Sequence, residues 1–276
     1  MPWHREATNR FEEFCRGAVG EADLVFAHNA AVVERFQRQW DARRCYQFDR
    51  SFVTNAIVIS DDELRQRERD LVDASRPLRL VAAGRQIRIK GTDQVLRAMR
   101  AAIDGGARLE LDVMGDGEDL PEFRKLAAEL KLDDVVTFAG TVPYGAALFE
   151  RWAKAQVMVV TNLTAEISRN VLLSMARGLP LVTYQNPGTD ALIRDSGAGI
   201  LVPTGDVDAL AAALRRAFDN RAALAEMMRR GVETARNKTL ESTHGVRAQL
   251  AASLFPENFP NRSRQERDES PAQQNV

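Results

Sequence analysis

The chain has 276 residues, 45% hydrophobic and 28% charged, with a formal net charge of −1. That is ordinary globular composition, long enough for one or two domains and for burial of roughly 75% of the unfolded surface. The charge balance gives no global case for nucleic acid or an anionic membrane as partner. Cys15 and Cys45 show no metal or redox spacing and read as free thiols. No apolar run approaches the roughly 18 residues a spanning helix needs, and MPWHREATNRF carries no signal-peptide pattern. A cytoplasmic chain is expected, with peripheral membrane contact left open.

In chain order, FEEFCRGAVGEA reads as a helix. DLVFAHNAAVVERFQRQW reads as a strand, a turn at His28 and Asn29, and a helix. RSFVTNAIVIS suggests another strand, and DDELRQRERDLVDASRP a charged helix or linker. Residues 1–75 would make a poor domain alone and look like the end of something larger.

From Pro77 the pattern alternates. LRLVAAG is a strand, then GTDQVLRAMRAAID a helix with Thr92 as expected N-cap. RLELDVMG is a strand, and LPEFRKLAAELKL a helix with Pro121 in its first turn. VVTFAG, QVMVVTN, PLVTY and GILVPTG are further strands. AALFERWAKA, SRNVLLSMARG and a short stretch near Asp190 to Asp195 are the helices between them. Such βαβ repetition predicts an α/β, Rossmann-like parallel sheet with helices on both faces. Three helices follow, DVDALAAALRRAFDN, RAALAEMMRRGVETARN and STHGVRAQLAASLF, with a polar tail over 256–276 expected to be disordered. The expected boundaries are 1–75, 76–255 and 256–276.

Ligands of parallel sheets bind at the carboxyl ends of the strands, so the loops after strands carry the candidates. GRQIRIKG offers Gly84 for a turn and two cations, Arg85 and Lys90, spaced to flank a diphosphate. A solvated basic loop would read the same way. MGDGED offers Gly115 and Gly117 for close backbone approach, although a lone Gly-x-Gly is commonly just a turn. In TAEISRNVLLSMARGLPLVTY, Ser168 is a good N-cap, and the helix start presents N–H groups that suit an anion. Glu166 beside that end could cap the helix, or accept hydrogen bonds from sugar hydroxyls. The pairs Asp61, Asp62 and Asp133, Asp134 lack ligand partners nearby, and His4, His28 and His244 are scattered, so no metal site is expected. No Walker loop, metalloprotease motif or nucleophile elbow is present.

Taken in order, these pieces resemble the nucleotide-sugar half of a GT-B glycosyltransferase of the group 1, family four retaining type. GRQIRIKG is similar to the family's Gly-Arg-Leu-x-x-x-Lys-Gly loop, whose Arg and Lys bind the donor diphosphate. VMGDGED is similar to the Gly-x-Gly turn under the nucleotide. The stretch from Thr164 to Ile193 is similar to the Glu-x7-Glu segment and its following strand, and GAGILVPTGDVDALAAAL to the next block. The resemblance covers about Pro77 to Phe255. It implies Arg85, Lys90 and Glu166 as catalytic residues. It implies donor contacts from Gly84, Gly115, Gly117, Ser168, Arg169, Asn170, Val171 and Ser174. No cofactor or metal is implied, only a nucleotide-diphosphate sugar as donor substrate and transfer with retention.

Two departures stand out. The second Glu of the pair, which grips the ribose diol in the family, is Ser174 here. A carboxylate's charge-assisted bonds are worth roughly 1.5–3 kcal/mol each and a hydroxyl's about 0.5–1.5, so nucleotide affinity weakened about tenfold or more is expected. Ile167, Ser168 and Arg169 replace the usual Gly and Phe after the first Glu; Arg169 is offered as an extra cation at the phosphate. Secondly, ADLVFAHNAAVVERF looks like only the close of the family's amino-terminal domain, where the acceptor site and a catalytic-side histidine lie. The final helix resembles the one that crosses back to that domain. The expectation is a sugar transferase with an unknown acceptor (glycan, lipid or small molecule), and a possible partner supplying the missing domain. The alternatives are a non-catalytic relic or partner subunit, an unrelated α/β nucleotide-binding protein, and a sugar-phosphate epimerase.

Overall fold

The computed structural model describes residues 2–27, 30–39, 44–48, 51–165, 168–187 and 189–256. The chain divides into two compact units, Met1–Arg50 with Leu240–Val276, and Ser51–Thr239.

In the first unit, α1 (Pro2–Glu21) leads into β1 (Val25–Ala27), α2 (Ala30–Gln39) and β2 (Cys45–Gln47). The two strands pair in parallel, Val25 opposite Cys45 and Ala27 opposite Gln47. Their small core gathers Ala27 and Cys45 with Val19, Val25, Val33 and Phe36. The final helix (Leu240–Leu254) belongs to this unit. Its Arg247 guanidinium lies over the rings of Phe48 and Phe26, 4.5 and 5.0 Å from their centroids. The expected turn at His28 and Asn29 and the tail beyond Pro256 lie outside the described residues.

The second unit runs α3 (Asp61–Val72), β3 (Leu78–Ala83), α4 (Thr92–Asp104), β4 (Leu109–Met114), α5 (Leu120–Glu129), β5 (Val136–Gly140), α6 (Ala146–Ala153), β6 (Val157–Val160), α7 (Arg169–Ala176), β7 (Leu181–Tyr184), α8 (Asp190–Ser196), β8 (Gly199–Val202), α9 (Val207–Asp219) and α10 (Arg221–Asn237). All six strands are parallel, in the order β5-β4-β3-β6-β7-β8. Every residue of β6 and β7 is buried, as expected where helices cover both faces of a sheet. Alternate side chains of β3 divide between those faces. Leu78, Leu80 and Ala82 join one core with Leu96, Met99 and Leu214, and Val81 joins the other with Trp152, Val171 and Met175.

Three expectations need correction. RSFVTNAIVIS is not a strand. It holds a 3-10 turn at Asn55–Ile57, and Val53 and Ile59 are buried singly within the second unit, with no strand pairing among the described residues. The strand of this region is Cys45–Gln47, three residues too short to show a period. The first boundary falls at 50/51 rather than 75/76, because α3 is part of the second unit. A capping box between Ser60 and Glu63 starts that helix. Arg67 then ties it down, donating to the carbonyls of Gly178, Ala153 and Ala155 at 3.2, 3.0 and 2.8 Å. Finally, the N-cap of α4 is Gly91, with φ 73° in the left-handed region, and Thr92 is already helical. A Cβ at Gly91 would meet the Thr161 carbonyl at 2.4 Å. Among the described residues no helix is long and apolar enough to cross a membrane.

Candidate functional site

The strand order sets the place. From β3 the chain winds outward through β4 to β5, then returns to β6 on the other side of β3 and winds the opposite way. The crevice at such a reversal, at the carboxyl ends of the strands, is where open α/β sheets bind ligands. A solvent-open cleft of about 340 Å³ lies there, formed by the loop after β3 (Gly84, Arg85, Gln86, Lys90), the loop after β6 (Thr161, Asn162) and Ser168 at the start of α7.

The loop after β3 is built around Gln86, which is 2% exposed. Its Nε2 donates to the carbonyls of Gly84 (2.8 Å) and Met114 (3.0 Å), and its Oε1 accepts from the Thr92 hydroxyl at 2.8 Å. Its backbone N–H and carbonyl bond Asp116 and Asp119. This fixes both ends of the segment that carries the cations. Thr161 closes the other side, donating to the Lys90 carbonyl at 2.8 Å. Arg85 and Lys90 both line the cleft. Arg88, between them, is directed away from it: its backbone N–H bonds Asp119 and its guanidinium pairs with Glu122. Arg85 is exposed; its carbonyl accepts from the Ile87 N–H at 3.0 Å, and its guanidinium makes no hydrogen bond or ion pair among the described residues.

Gly84 has φ 153° and open space where a Cβ would stand, as a ligand-facing glycine should. Gly115 and Gly117 differ from expectation. A Cβ at Gly115 would meet the Gly84 carbonyl at 1.9 Å, and one at Gly117 the Gln86 carbonyl at 2.3 Å. Protein backbone, not ligand, takes the space beside these two. They let the loops after β3 and β4 pack together.

At α7 the predicted residues separate. Ser168 is the N-cap residue and faces the cleft, without a side-chain capping bond. Asn170 donates to the Ala83 carbonyl at 2.6 Å and so ties α7 to the end of β3. Arg169, suggested as an extra cation at the phosphate, is exposed with its guanidinium 5.5 Å from the Phe52 ring centroid, within reach of a cation–π contact. Val171 is buried in the core and its N–H donates to the Ser168 carbonyl. Ser174 is 0% exposed, and its hydroxyl donates to the Val171 carbonyl at 2.9 Å. The side chains of Val171 and Ser174, both expected at the donor, point into the protein. Glu166 lies outside the described residues.

Sequence reasoning missed Gln86, Thr161 and Asn162. A buried polar residue beside a glycine turn was the available signal for the first. Asn162 is 8% exposed, and its Nδ2 has no hydrogen-bond partner. No cluster of three metal-ligating side chains occurs among the described residues.

This arrangement joins two cations, a helix start and a rigid glycine turn around one crevice, which suits a phosphate-bearing ligand. Comparison with known proteins identifies the family. The family model described as "Glycosyl transferases group 1" matches residues 77–220, just over half of the chain. An exopolysaccharide phosphotransferase of Streptomyces coelicolor is 31% identical over 147 residues, which is 52% of this chain and 15% of that protein. A lipopolysaccharide core biosynthesis glycosyltransferase of Rhizobium meliloti is 28% identical over 159 residues, 56% of this chain and 44% of that protein. The chain thus spans less than half the length of these two relatives. The solved structure of HepE from Anabaena in complex with UDP superposes with a TM-score of 0.67 at 18% identity, covering 85% of this chain and 64% of that one. The chain belongs to the group 1 glycosyl transferases and carries their GT-B type of α/β fold.

Proposed function

We propose that the cleft binds a nucleotide-diphosphate sugar and that the protein transfers the sugar to an acceptor hydroxyl with retention. The convergence of Arg85 and Lys90 on a crevice that also receives the start of α7 carries this reading. In the reaction, the bond between the anomeric carbon and the diphosphate oxygen breaks, with its electron pair going to the diphosphate. The acceptor oxygen bonds the carbon on the face that the diphosphate leaves, which retains the configuration, and passes its proton to the departing diphosphate oxygen. Arg85 and Lys90 stabilise the charge gathering on the departing diphosphate, the electrostatic role such chemistry needs. Gly84 lets backbone approach the phosphates. Glu166 holds the donor sugar. The cations and helix start neutralise the leaving group, so no metal cofactor is called for. The UDP bound in the HepE structure supports a nucleoside diphosphate as the common part of the ligand. The acceptor, contacts with a membrane surface and a second polypeptide completing the cleft belong to the same proposal.

A second reading is favoured by Ser174. Its buried hydroxyl is bonded inside α7, so nothing at that position grips a ribose, as in a non-catalytic relative that binds nucleotide weakly.

One titration separates the two. The chain is titrated calorimetrically with UDP, GDP and ADP and with their glucose-bearing forms, beside an Arg85→Ala, Lys90→Ala double variant. Two charge-assisted contacts at roughly 1.5–3 kcal/mol each predict at least about a hundredfold loss in the double variant. No binding by the wild-type chain at millimolar ligand would reject the donor site.

A further inference from the structure

The cleft contains a group that the donor reading does not use. Asn162 follows β6 at the reversal of strand order, and it borders both the main cleft and a shallow surface depression reaching Thr183 and Asn186. Ser168 borders the same two spaces. Asn162 is more than nine-tenths buried, and its amide nitrogen has no hydrogen-bond partner among the described residues. Its neighbours are otherwise engaged. Thr161 donates to the Lys90 carbonyl at 2.8 Å, and Asn186 donates to the Thr164 carbonyl at 2.6 Å.

A buried amide donor left without an acceptor destabilises the free protein. An aliphatic side chain of similar size would avoid that cost if packing were the only requirement at this position. The orphan donor lines the same cleft as Arg85, Lys90 and Ser168.

We propose that Asn162 is a ligand-contacting residue whose Nδ2 donates to an oxygen of the bound nucleotide sugar. This inference rests on the donor-site reading and adds to it a specific contact. An amide donor is uncharged, so it suits a sugar hydroxyl or a phosphate oxygen already neutralised by Arg85 and Lys90. Both are oxygen acceptors, and the ligands chosen for the test separate them.

The test uses the full 276-residue chain. Wild type, Asn162→Ala and Asn162→Ser are titrated with UDP, GDP, ADP and the glucose-bearing forms, and the melting temperature is recorded without ligand. Asn162→Ala is expected to weaken binding about threefold to tenfold, the effect of one neutral hydrogen bond, with partial recovery in Asn162→Ser. Its unliganded melting temperature should be unchanged or higher, because the variant removes a buried donor that has no partner. A loss confined to the nucleotide sugar assigns the contact to a sugar hydroxyl. An equal loss with the bare diphosphate assigns it to phosphate. Wild-type affinity in Asn162→Ala overturns the proposal, as does a melting temperature lowered by several degrees in both variants, which would give the amide a packing role. If wild type binds a nucleotide, the Arg85→Ala, Lys90→Ala variant does not, and Asn162→Ala matches wild type, only this inference fails. If wild type binds none of the ligands, the donor-site reading fails and takes this inference with it.

Discussion

Replacing Gln86 by Leu keeps nearly the same volume and removes every polar contact of its amide. The buried Thr92 hydroxyl loses its acceptor on Gln86. Met114's carbonyl keeps the bond from the Gly84 N–H at 3.0 Å, so it loses one of two donors. Gly84 is exposed, and water can replace the bond to its carbonyl. A stranded buried hydroxyl costs about 1–3 kcal/mol and each ordinary bond about 0.5–1.5, so the total is about 2–4 kcal/mol. For a unit of this size that lowers the melting temperature by roughly 5–15 °C. Urea denaturation gives the free energy directly. The companion variant Thr92→Val removes the hydroxyl that Gln86→Leu strands, so the double variant should be less destabilised than the sum of the singles by about 1 kcal/mol. Nucleotide affinity should fall in Gln86→Leu as well, because the segment between Arg85 and Lys90 loses its anchor. Strict additivity, or a loss below about 1 kcal/mol, would refute the claim that this amide holds the loop.

Ser174→Ala should cost no more than about 0.5–1.5 kcal/mol and leave nucleotide affinity within about twofold of wild type. UDP and its 2′-deoxy form should then bind about equally, and a tenfold drop in Ser174→Ala would place the hydroxyl on the ligand after all. Arg67→Met strands the carbonyls of Gly178, Ala153 and Ala155 and should destabilise the second unit by about 2–5 kcal/mol in urea, with α3 exchanging amide hydrogens first. Burial, and then the Arg177 guanidinium, hold the Arg67 pKa down to about 10. It stays charged at neutral pH, and the cost of its removal should be flat between pH 5 and 8. Burial pushes the Tyr184 phenol up to about 12, and its hydroxyl donates to Gln94. The folded chain keeps that proton where the unfolded chain loses it, above about 10. Its contribution is therefore complete below pH 10 and is lost as pH rises towards 12. Tyr184→Phe should flatten that alkaline fall, and an unchanged slope would count against the assignment.

The sheet was legible because its strands are short apolar runs separated by helix-period segments, and each of the six expected strands from Leu78 onward is present. The two cations lie on the loop after a strand that the sequence marked, and both line the cleft, although their spacing alone also fits a solvated basic loop. What could not be read was which way side chains of α7 face. Spacing places Ser174 two turns beyond Glu166, but burial of Val171, Leu173, Ser174 and Met175 together shows a helix covered on more than one side. Gly115 and Gly117 were correctly marked as positions that exclude a Cβ, yet the body they make room for is the neighbouring loop. Close approach between two loops far apart in sequence leaves no local signature. Nor does a three-residue strand such as Cys45–Gln47.

These placements change how the departures from the family pattern are weighed. Arg169 stacks on Phe52, Asn170 holds the Ala83 carbonyl, and Ser174 bonds within its own helix. The described residues of α7 are thus largely committed to the protein, while Arg85, Lys90, Ser168 and Asn162 face the crevice. On the proposed donor reading, the charged contacts offered to the ligand, Arg85 and Lys90, are concentrated at its phosphate end. Binding energy held there is electrostatic in origin and screened by salt, whereas discrimination among sugars has to come from uncharged groups whose bonds fail when the partner is wrong. Asn162 is the described side chain in the cleft with a buried donor still unspent. On the proposed donor reading, a serine at position 174 and an amide at 162 move recognition away from the ribose and towards the group at the other end of the cleft.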